Sequence, residues 1–507
     1  MSLAARALVA LALMVGFYAL AIIIAGVLLY LPYAEVVYAH RLHPKLAIVC
    51  IVGAGVILWS IVPRPDRFLP PGPRLEPAAH PRLFQRLTAV AQAVGQPMPA
   101  EVYLAPEVNA WVAQRGGWMG FGSRRVMGLG LPVLQVLAVS EIEAVLAHEF
   151  GHYSTGDTRL APWVYKTRGA IVRTLQGLSR HSELLMKPFI WYGHMFLRIT
   201  HAISRRQEYQ ADGLAARTIG PRPLADGLQK IHGAALAYDA YLRVEMGPVL
   251  NAGFRPPWAE GFARFLAFPS VAKAVSDGLE QQLREAQTDA YDTHPPLRDR
   301  VAALQKLPAV SRSGSDVPAI SLLEKLPKLE ARLLSHVSGN AQMESLKAVS
   351  WENAGMQALL PQWSEVVRQQ REALVGLTPA SLAEVCASSE RLPRTSVIIP
   401  GDPGMAKSLL DFSRKLAFPA SVLPSAEERY ESAKEVLAMA LAVALSRQGW
   451  ELRALPGELY LTRGDCRIEP FPVVGELADG KLTPEAWRQL CRRYQISDSD
   501  LTDSKTD

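Results

Sequence analysis

Two long apolar stretches near the N-terminus limit the fold of this 507-residue chain more than any other feature. Residues 7–31 contain 25 residues without a charge, and residues 46–62 contain another 17. Helices of this length cross the ~30 Å hydrocarbon core of a bilayer. A signal peptide is the alternative interpretation of the first stretch, but its apolar core has only roughly 7–15 residues. The two stretches therefore predict a hairpin of transmembrane helices.

The basic residues beside these stretches predict the orientation of the hairpin. Arg41 and Lys45 lie in the short connecting loop, whereas Arg6 precedes the first stretch. Four more arginines follow the second stretch: Arg64, Arg67, Arg74 and Arg82. Because Lys and Arg accumulate on the cytoplasmic side of membrane spans, this excess places both termini in the cytoplasm. We expect an integral protein of an inner or cytoplasmic membrane whose following domain faces the cytoplasm, with the lipid bilayer as a partner.

The composition excludes several other classes of protein. The net charge is +6, and the basic residues are scattered rather than gathered into one stripe, so we expect no nucleic-acid partner. The chain has four cysteines and no CxxC spacing, which argues against a disulfide scaffold and against a cysteine zinc site. The apolar share of 49% and the charged share of 20% are typical of a globular chain.

Proline content and periodicity divide the rest of the chain. Residues 63–81 contain seven prolines and predict a stiff, extended spacer. A helix is predicted at Leu83–Val94, followed by strands at Glu101–Ala105, Ala110–Gln114 and Arg125–Leu129. The predicted units are a membrane hairpin (1–62), a linker (63–81), a mainly helical domain (82–306), a C-terminal α+β domain of unknown role (319–496) and a disordered tail (497–507).

The residue types that carry chemistry are concentrated between Ser140 and His152. Ser140 and Glu143 have the spacing of a capping box, which predicts that a helix begins there. His148 and His152 are four residues apart, so both imidazoles project from one face of that helix and can bind one Zn²⁺. Glu149 lies beside them, where a general base for a metal-activated water belongs.

A third ligand is expected on a second helix, near residues 199–218. Glu208 can complete a site of two histidines and one glutamate whose fourth position is open to water. Asp212 lies on the same helical face, and Asp157 follows the first helix; either can orient a histidine ligand. A solvated carboxylate is the alternative interpretation of Glu208, and His201, on the same face, is the alternative ligand.

The order of these motifs resembles that of the HtpX-type and CAAX-prenyl-protease-type zinc metallopeptidases. The resemblance covers about residues 83–305, and the matching residues are Asn109–Trp111, His148–His152, Glu208–Asp212 and His294 through Arg300. It implies a gluzincin fold, endopeptidase activity on protein or peptide substrates, and one Zn²⁺ per chain held by His148, His152 and Glu208, with Glu149 as the base.

The resemblance also implies roles for residues outside the metal site. His294 would stabilise the oxyanion of the reaction; a polar cap before a helix is the alternative. Asn109, Ala110 and Trp111 would form an edge strand that pairs with the substrate, although an ordinary edge strand has the same pattern. Arg298 and Arg300 are expected at the surface or in salt bridges.

The expected fold is mainly α with a small β-sheet, an α+β zincin-like metallopeptidase domain. Two transmembrane helices precede this domain, and a separate α+β domain follows it.

Residues 187–200 are apolar, but His152 and Glu208 must meet on one side of the membrane, so the intervening chain crosses it twice or not at all. The basic residues within 160–180 exclude a crossing there. We therefore expect a helix that rests on the membrane or packs in the domain, and we do not expect prenylated substrates.

The sequence thus predicts a membrane-anchored zinc endopeptidase in which Glu149 takes the proton of the attacking water. The alternative is a non-catalytic, membrane-tethered scaffold whose zinc ion only joins two helices. The intact Glu149 argues against a scaffold, as does the open fourth position, because a structural zinc site usually has a fourth protein ligand. Proteolysis inside the membrane is excluded because the motif follows a polar, proline-rich segment. Binding of a regulatory or partner protein by the C-terminal domain is a hypothesis.

Overall fold

The computed structural model describes residues 3–64, 66–117, 122–154, 161–179, 183–285, 294–309, 316–387 and 430–502. The chain begins with two helices that pack against each other, α1 (Leu3–Ala39) and α2 (Pro44–Ile61). Both are long and apolar enough to cross a membrane, and large apolar side chains such as Ile23 and Trp59 are exposed on them. The expected pair of apolar N-terminal helices is confirmed.

A four-stranded sheet and a set of helices follow these two helices. The elements are β1 (Arg74–Leu75), α3 (Pro81–Ala93), β2 (Glu101–Ala105), β3 (Ala110–Arg115), β4 (Arg124–Gly130), α4 (Leu131–Val136), α5 (Val139–Ser154), α6 (Ala161–Leu178), α7 (Glu183–Thr218), α8 (Pro221–Ala240), a π-helical turn (Tyr241–Met246), α9 (Gly247–Asn251), β5 (Phe254–Arg255), α10 (Trp258–Ala267), α11 (Pro269–Glu285) and α12 (Leu297–Leu304). The three strands predicted from the sequence are β2, β3 and β4, each within one residue at either end.

The sheet places β3 at one edge. Its strand order is β1-β2-β4-β3, with β2 parallel to β4 and β3 antiparallel to β4. Trp111 on β3 lies opposite Gly128 on β4, and a Cβ on that glycine would lie 2.4 Å from the indole ring. The missing side chain therefore lets the indole lie directly against the backbone of β4.

The proline-rich segment packs on this sheet and does not stand free as a spacer. The carboxylate of Asp66 accepts hydrogen bonds from the Arg115 guanidinium (2.9 Å) and from the Gly116 N–H (2.7 Å). The Phe68 ring contacts the Tyr103 ring, and β1 pairs with β2. The side chains of this segment thus attach it to the domain.

The N-terminus of α5 differs from the prediction. The helix begins at Val139, and the Glu141 carboxylate accepts the Ala138 N–H at 2.8 Å. Ser140 contacts Asp316 through its backbone and its hydroxyl, and Glu143 pairs with Arg86 across 3.3 Å. The predicted capping box of Ser140 and Glu143 is therefore wrong. Asp316, which lies 176 positions further along the chain, binds Ser140 instead, and Glu143 pairs with Arg86.

The C-terminal part contains helices and a second sheet. Its elements are a 3₁₀ turn (Ala319–Leu322), α13 (Leu326–Ser338), another 3₁₀ turn (Ala341–Ser345), β6 (Lys347–Ala348), α14 (Trp351–Ala354), a π-helical turn (Gly355–Leu359), α15 (Leu360–Gln369), α16 (Arg371–Leu374), α17 (Leu382–Ala387), α18 (Tyr430–Arg447), β7 (Glu451–Leu455), β8 (Glu458–Arg463), β9 (Cys466–Ile468), α19 (Pro470–Ala478) and α20 (Pro484–Arg493).

This C-terminal part shares one hydrophobic core with the preceding domain. A continuous cluster of buried side chains includes Phe150 of α5 as well as Trp351 and Trp487 of the C-terminal part. Strands β5 and β6 pair in parallel across the junction. The mixture of helices and strands is as expected, but the expectation of a separately packed domain does not fit this shared core.

A second hydrophobic cluster joins α6 and the first half of α7 to the two N-terminal helices. Phe17 of α1 and Ile57 of α2 pack with Phe189 of α7 in this cluster. The Tyr192 hydroxyl donates to the Leu13 carbonyl at 2.6 Å, and the Arg173 guanidinium donates to the carbonyl of Ser60. The segment therefore lies along the apolar helices. Of the two expected placements, packing in the domain does not fit these contacts, and a helix that rests on the membrane stays a prediction.

Candidate metal centre

Helices α5 and α7 bring three potential metal ligands together. One ligand atom each from His148, His152 and Glu208 lies within 4.8 Å of the other two. The Glu208 carboxylate is 3.4 Å from Nε2 of His148 and 3.5 Å from Nε2 of His152. Ligands about 2.0–2.2 Å from one tetrahedral zinc ion are roughly 3.3–3.5 Å apart. The two separations between Glu208 and the imidazoles therefore fit a tetrahedral ion.

The glycine between the two histidines allows the helices to approach. A Cβ on Gly151 would lie 3.1 Å from Cα and 3.2 Å from Cβ of Ala211 on α7, closer than almost any real Cβ contact. Ala211 follows Glu208 by three residues, so the contact lies about one helical turn from the glutamate. Gly151 thus lets the Glu208 carboxylate reach the histidine pair.

A buried ion pair fixes the orientation of His148. Asp212, one turn after Glu208, has its Oδ1 atom 2.9 Å from Nδ1 of His148. Arg300 of α12 donates two hydrogen bonds to the Asp212 carboxylate, at 2.9 and 2.7 Å, and lies 3.3 Å from Glu208. All of these side chains are almost fully buried, so Asp212 leaves Nε2 of His148 directed at Glu208.

The proximity of these groups shifts their pKa values. Burial alone would lower the pKa of His148, but its hydrogen bonds to Asp212 and Glu208 raise it to about 9. Burial and the neighbouring His148 lower the pKa of His152 to about 4, so this imidazole is neutral at pH 7. Burial would raise the pKa of Glu208, but hydrogen bonds from His148 and His294 hold it well below its ordinary value. A deprotonated carboxylate and a neutral imidazole are the forms that bind metal, so Glu208 and His152 are in the binding form at pH 7, whereas His148 must release its proton when a metal ion binds.

Glu149 and His294 lie beside the three ligands. Burial raises the pKa of Glu149 to about 7, and the nearby Glu208 carboxylate acts in the same direction. His294 is 61% exposed at the rim of the site, and its Nδ1 atom is 3.1 Å from Glu208. The structure thus brings both predicted catalytic side chains to the metal centre.

The remaining predicted residues lie at different distances from the centre. Asp157 lies outside the described residues. Asn109 is exposed just before β3, Ala110 is buried at its start and Trp111 is partly buried. His201 lies on α7 but not in the three-residue cluster of potential ligands, so it does not replace Glu208.

Sequence reasoning missed two parts of the site. It left Arg300 between a surface position and a salt bridge, whereas the structure buries this guanidinium between Asp212 and Glu208. It gave Tyr153 no role in the site, but the Tyr153 hydroxyl donates to the Val112 carbonyl of β3 at 3.0 Å. Burial raises the pKa of Tyr153 to about 12, so this hydroxyl stays protonated. The one sequence signal for a role of Tyr153 in the site was its position directly after His152, a predicted ligand.

The donor set is suited to a metal ion. Among the described residues, the buried Oε2 atom of Glu208 has only long contacts, at 3.4 Å to Nε2 of His148 and 3.3 Å to the Arg300 guanidinium. Two imidazoles and one carboxylate are the protein ligands of many catalytic zinc sites. A metal ion bound by these three residues would balance the negative charge of the buried Glu208 carboxylate. The three residues therefore fit a resident metal ion.

Two histidines and a glutamate from facing helices define the class of HExxH metallopeptidases. Residues 77–308 match the model of peptidase family M48. The match covers α3 through α12, including all three potential ligands. Together with the two apolar N-terminal helices, it identifies a membrane metalloprotease.

The relatives point to one branch of that family. The chain is 26% identical over 246 residues to a protein named protease HtpX homolog from Tropheryma whipplei, covering 45% of this chain and 73% of the relative. It is 25% identical to protease HtpX from Pseudomonas putida (44% and 70%) and 28% identical to an HtpX homolog from Gemmatimonas aurantiaca (45% and 76%). No solved structure gives a significant match. The resemblance to HtpX-type peptidases is confirmed.

Proposed function

We propose that this chain is a zinc-dependent endopeptidase in which His148, His152 and Glu208 hold one Zn²⁺ and Glu149 is the general base. The observation that carries the proposal is the separation of 3.4 and 3.5 Å between the glutamate and the two imidazoles. The donor types favour zinc among the divalent metals, because imidazole and carboxylate together are common in its catalytic sites.

The proposed reaction assigns each step to a side chain of this chain. When bound, the zinc ion supplies a Lewis acid that polarises the scissile carbonyl and activates a water molecule. Glu149 takes the proton of the attacking water and donates it to the leaving amine; its pKa of about 7 is near the value that general-base catalysis at neutral pH favours. His294, at the rim of the site, donates a hydrogen bond to the developing oxyanion.

The exposed edge of β3 is the proposed binding surface for the substrate backbone. A peptide that adds a strand at this edge forms main-chain hydrogen bonds, which do not depend on its sequence. Ala110 supplies outward-facing backbone groups, Asn109 leads into the strand, and Trp111 holds it against β4. An endopeptidase with varied substrates needs this kind of recognition.

A non-catalytic scaffold with a structural metal is the second candidate. A structural zinc site is usually closed by four protein ligands, whereas the cluster found among the described residues has three. Glu149 would also have no role in a scaffold. These two observations favour the peptidase.

The Glu149→Gln variant tests the proposal. Wild type and variant are purified as full-length chains in detergent, their zinc content is measured by mass spectrometry, and casein cleavage is followed with and without chelator. We expect one zinc per chain in both proteins, and cleavage reduced at least about 100-fold in the variant, because the amide cannot accept the water proton.

Glu143→Gln is the matched control, because it changes a carboxylate on the same helix that pairs with Arg86 outside the site. We expect this control to cleave casein at the wild-type rate. Wild-type activity in the Glu149 variant would remove Glu149 from the reaction. A zinc-loaded wild type without chelator-sensitive cleavage would favour the scaffold.

We also propose that the peptidase domain lies on the cytoplasmic side of an inner or cytoplasmic membrane. The basic residues outside the loop between α1 and α2 support this orientation. The exposed side chains of Leu184 and Trp191, 72% and 67% accessible, place further apolar surface beside the two membrane helices. A reporter enzyme fused to the C-terminus, active only in the cytoplasm, tests this orientation.

A further inference from the structure

The backbone of β3 alternates between groups that face β4 and groups that face the open edge. The Gly130 N–H donates to the Asn109 carbonyl at 2.9 Å, which fixes this pair as a hydrogen-bonded pair of the antiparallel ladder. Successive residues of such a ladder alternate in direction. The N–H and C=O groups of Ala110, Val112 and Gln114 therefore face the edge, where a peptide strand would pair.

The Tyr153 hydroxyl uses two of these edge-facing groups. It donates to the Val112 carbonyl at 3.0 Å and accepts a hydrogen bond from the Gln114 N–H. A phenolic hydroxyl can donate and accept at the same time. It therefore takes the position that one residue of an added strand would occupy beside Val112 and Gln114.

The position of this hydroxyl is fixed relative to the metal centre. Tyr153 directly follows His152 on α5, and its ring lies 4.1 Å from the Arg125 guanidinium of β4. Arg125 is itself held by the Pro97 carbonyl at 3.2 Å. A guanidinium over an aromatic face stabilises the ring in place. The end of the available edge is thus tied to the helix that carries the two histidines.

We propose that Tyr153 is a specificity-determining residue that ends the pairing of a substrate strand at Val112. This inference rests on the proposed peptidase function. Main-chain pairing can then use the N–H and C=O of Ala110 and the N–H of Val112. Beyond these groups the peptide must leave the edge of β3. Substrate residues past this point then contribute no backbone hydrogen bonds, whatever their side chains.

A peptide series compares the wild type with Tyr153→Ala, which removes both the hydroxyl and the ring from the edge of β3. A fluorogenic peptide with one mapped cleavage site is lengthened by one residue at a time at either end, and kcat and KM are measured. In the wild type we expect kcat/KM to reach a plateau at one end. In the variant, further residues at that end pair with Val112 and Gln114.

Each new hydrogen bond raises kcat/KM by about five- to tenfold, since a neutral hydrogen bond contributes ~1 kcal/mol. The gain should appear as a lower KM, and N-methylation of the added peptide nitrogen should remove it. An identical dependence on length in wild type and variant would overturn the inference. A merely structural role for Tyr153 would change every peptide alike and would not respond to N-methylation.

Two further measurements separate the possible failures. Zinc content in the Tyr153 variant should stay within about twofold of wild type, which shows that its metal centre is intact. If that variant loses zinc, Arg125→Met is used instead, because it frees the ring without changing α5; an unchanged length dependence in it then overturns the inference. A wild type that cleaves nothing contradicts the proposed function itself, whereas a cleaving wild type with no change in the variants contradicts only the role of Tyr153.

Discussion

At the scale of single residues, the sequence predicts side chains that lie together on one helix. It misses contacts between residues that are far apart in the chain and belong to no motif. His148, Glu149 and His152 lie within five positions of one helix, so their common face follows from helical geometry alone. Glu208 required a motif on a second helix, and the structure brings it to the histidines as that motif predicted. The partner of Asp212 could not be predicted in the same way, because Arg300 lies 88 positions away and its burial depends on three helices.

The Asp212→Asn variant tests whether the buried ion pair supports metal binding. The amide keeps the size of the side chain but loses the charge that orients His148 and balances Arg300. Removing such a partner of a ligand typically costs about 10- to 100-fold in metal affinity. We expect a loss of this size in a zinc titration against a competing chelator.

Asp226→Asn is the matched control for this variant. Asp226 lies on the exposed face of α8 and pairs only loosely with Arg222, at 3.5 Å. Zinc affinity should stay unchanged in the control. Equal affinities in wild type and Asp212→Asn would show that the ion pair stabilises the fold without tuning the site.

At the scale of elements, the first and last residues of a helix or strand were predictable where the sequence of that element alone determines them. Strands β2, β3 and β4 follow their sequence patterns to within one residue. The N-terminus of α5 did not, because Asp316 binds Ser140 from outside the segment. The placement of α6 and α7 along the membrane helices also depends on distant partners, such as Leu13 for Tyr192. Local patterns contain no information about such contacts.

The packing of α5 on α7 gives a prediction for this scale. Alanine favours a helix by ~1 kcal/mol over glycine, and both Gly151 and Gly213 lie inside helices. A Cβ on Gly213 would meet only the mobile end of Arg217, whereas a Cβ on Gly151 would meet the backbone of Ala211 at 3.1 Å. We expect Gly213→Ala to raise the thermal midpoint by a few degrees and Gly151→Ala to lower it.

The Gly151→Ala variant should also lower kcat/KM by about tenfold, because separated helices move Glu208 away from the histidines. Gly213→Ala serves as the control for helix propensity and should cleave casein at the wild-type rate. Thermal unfolding and casein cleavage measure the two effects. A Gly151 variant as stable and active as the Gly213 variant would show that close helix contact is not required.

At the scale of the whole molecule, composition and hydrophobic runs predicted the membrane helices and the mainly helical class. They did not predict the shared core, because apolar side chains alone do not show which surface they cover. Gly261 of α10 illustrates the difficulty: a Cβ there would lie 2.4 Å from the indole ring of Trp351 in the C-terminal part. The C-terminal part thus packs closely against the preceding domain.

Two buried carboxylates join the two parts and give the protein a pH-dependent stability. Glu245, after α8, accepts the Gly457 N–H at 2.9 Å, and Glu330 of α13 accepts the Ala259 N–H at 2.8 Å. Burial raises the pKa of each from its ordinary 4.5 to about 7. Because the folded chain binds these protons more tightly than the unfolded chain, their stabilisation is complete below pH 4.5 and is lost as the pH rises through 7.

The Glu245→Gln/Glu330→Gln double variant should therefore lose this part of the pH dependence. A shift of this size corresponds to on the order of 2–3 kcal/mol per group, so the variant should unfold at a higher temperature than wild type at pH 8 and at nearly the same temperature at pH 5. The exposed Glu280→Gln variant should follow wild type at both pH values. A double variant that also parallels wild type from pH 5 to pH 8 would show that both carboxyl groups ionise as easily in the folded chain as in water, and that the interface between the two parts is open to solvent.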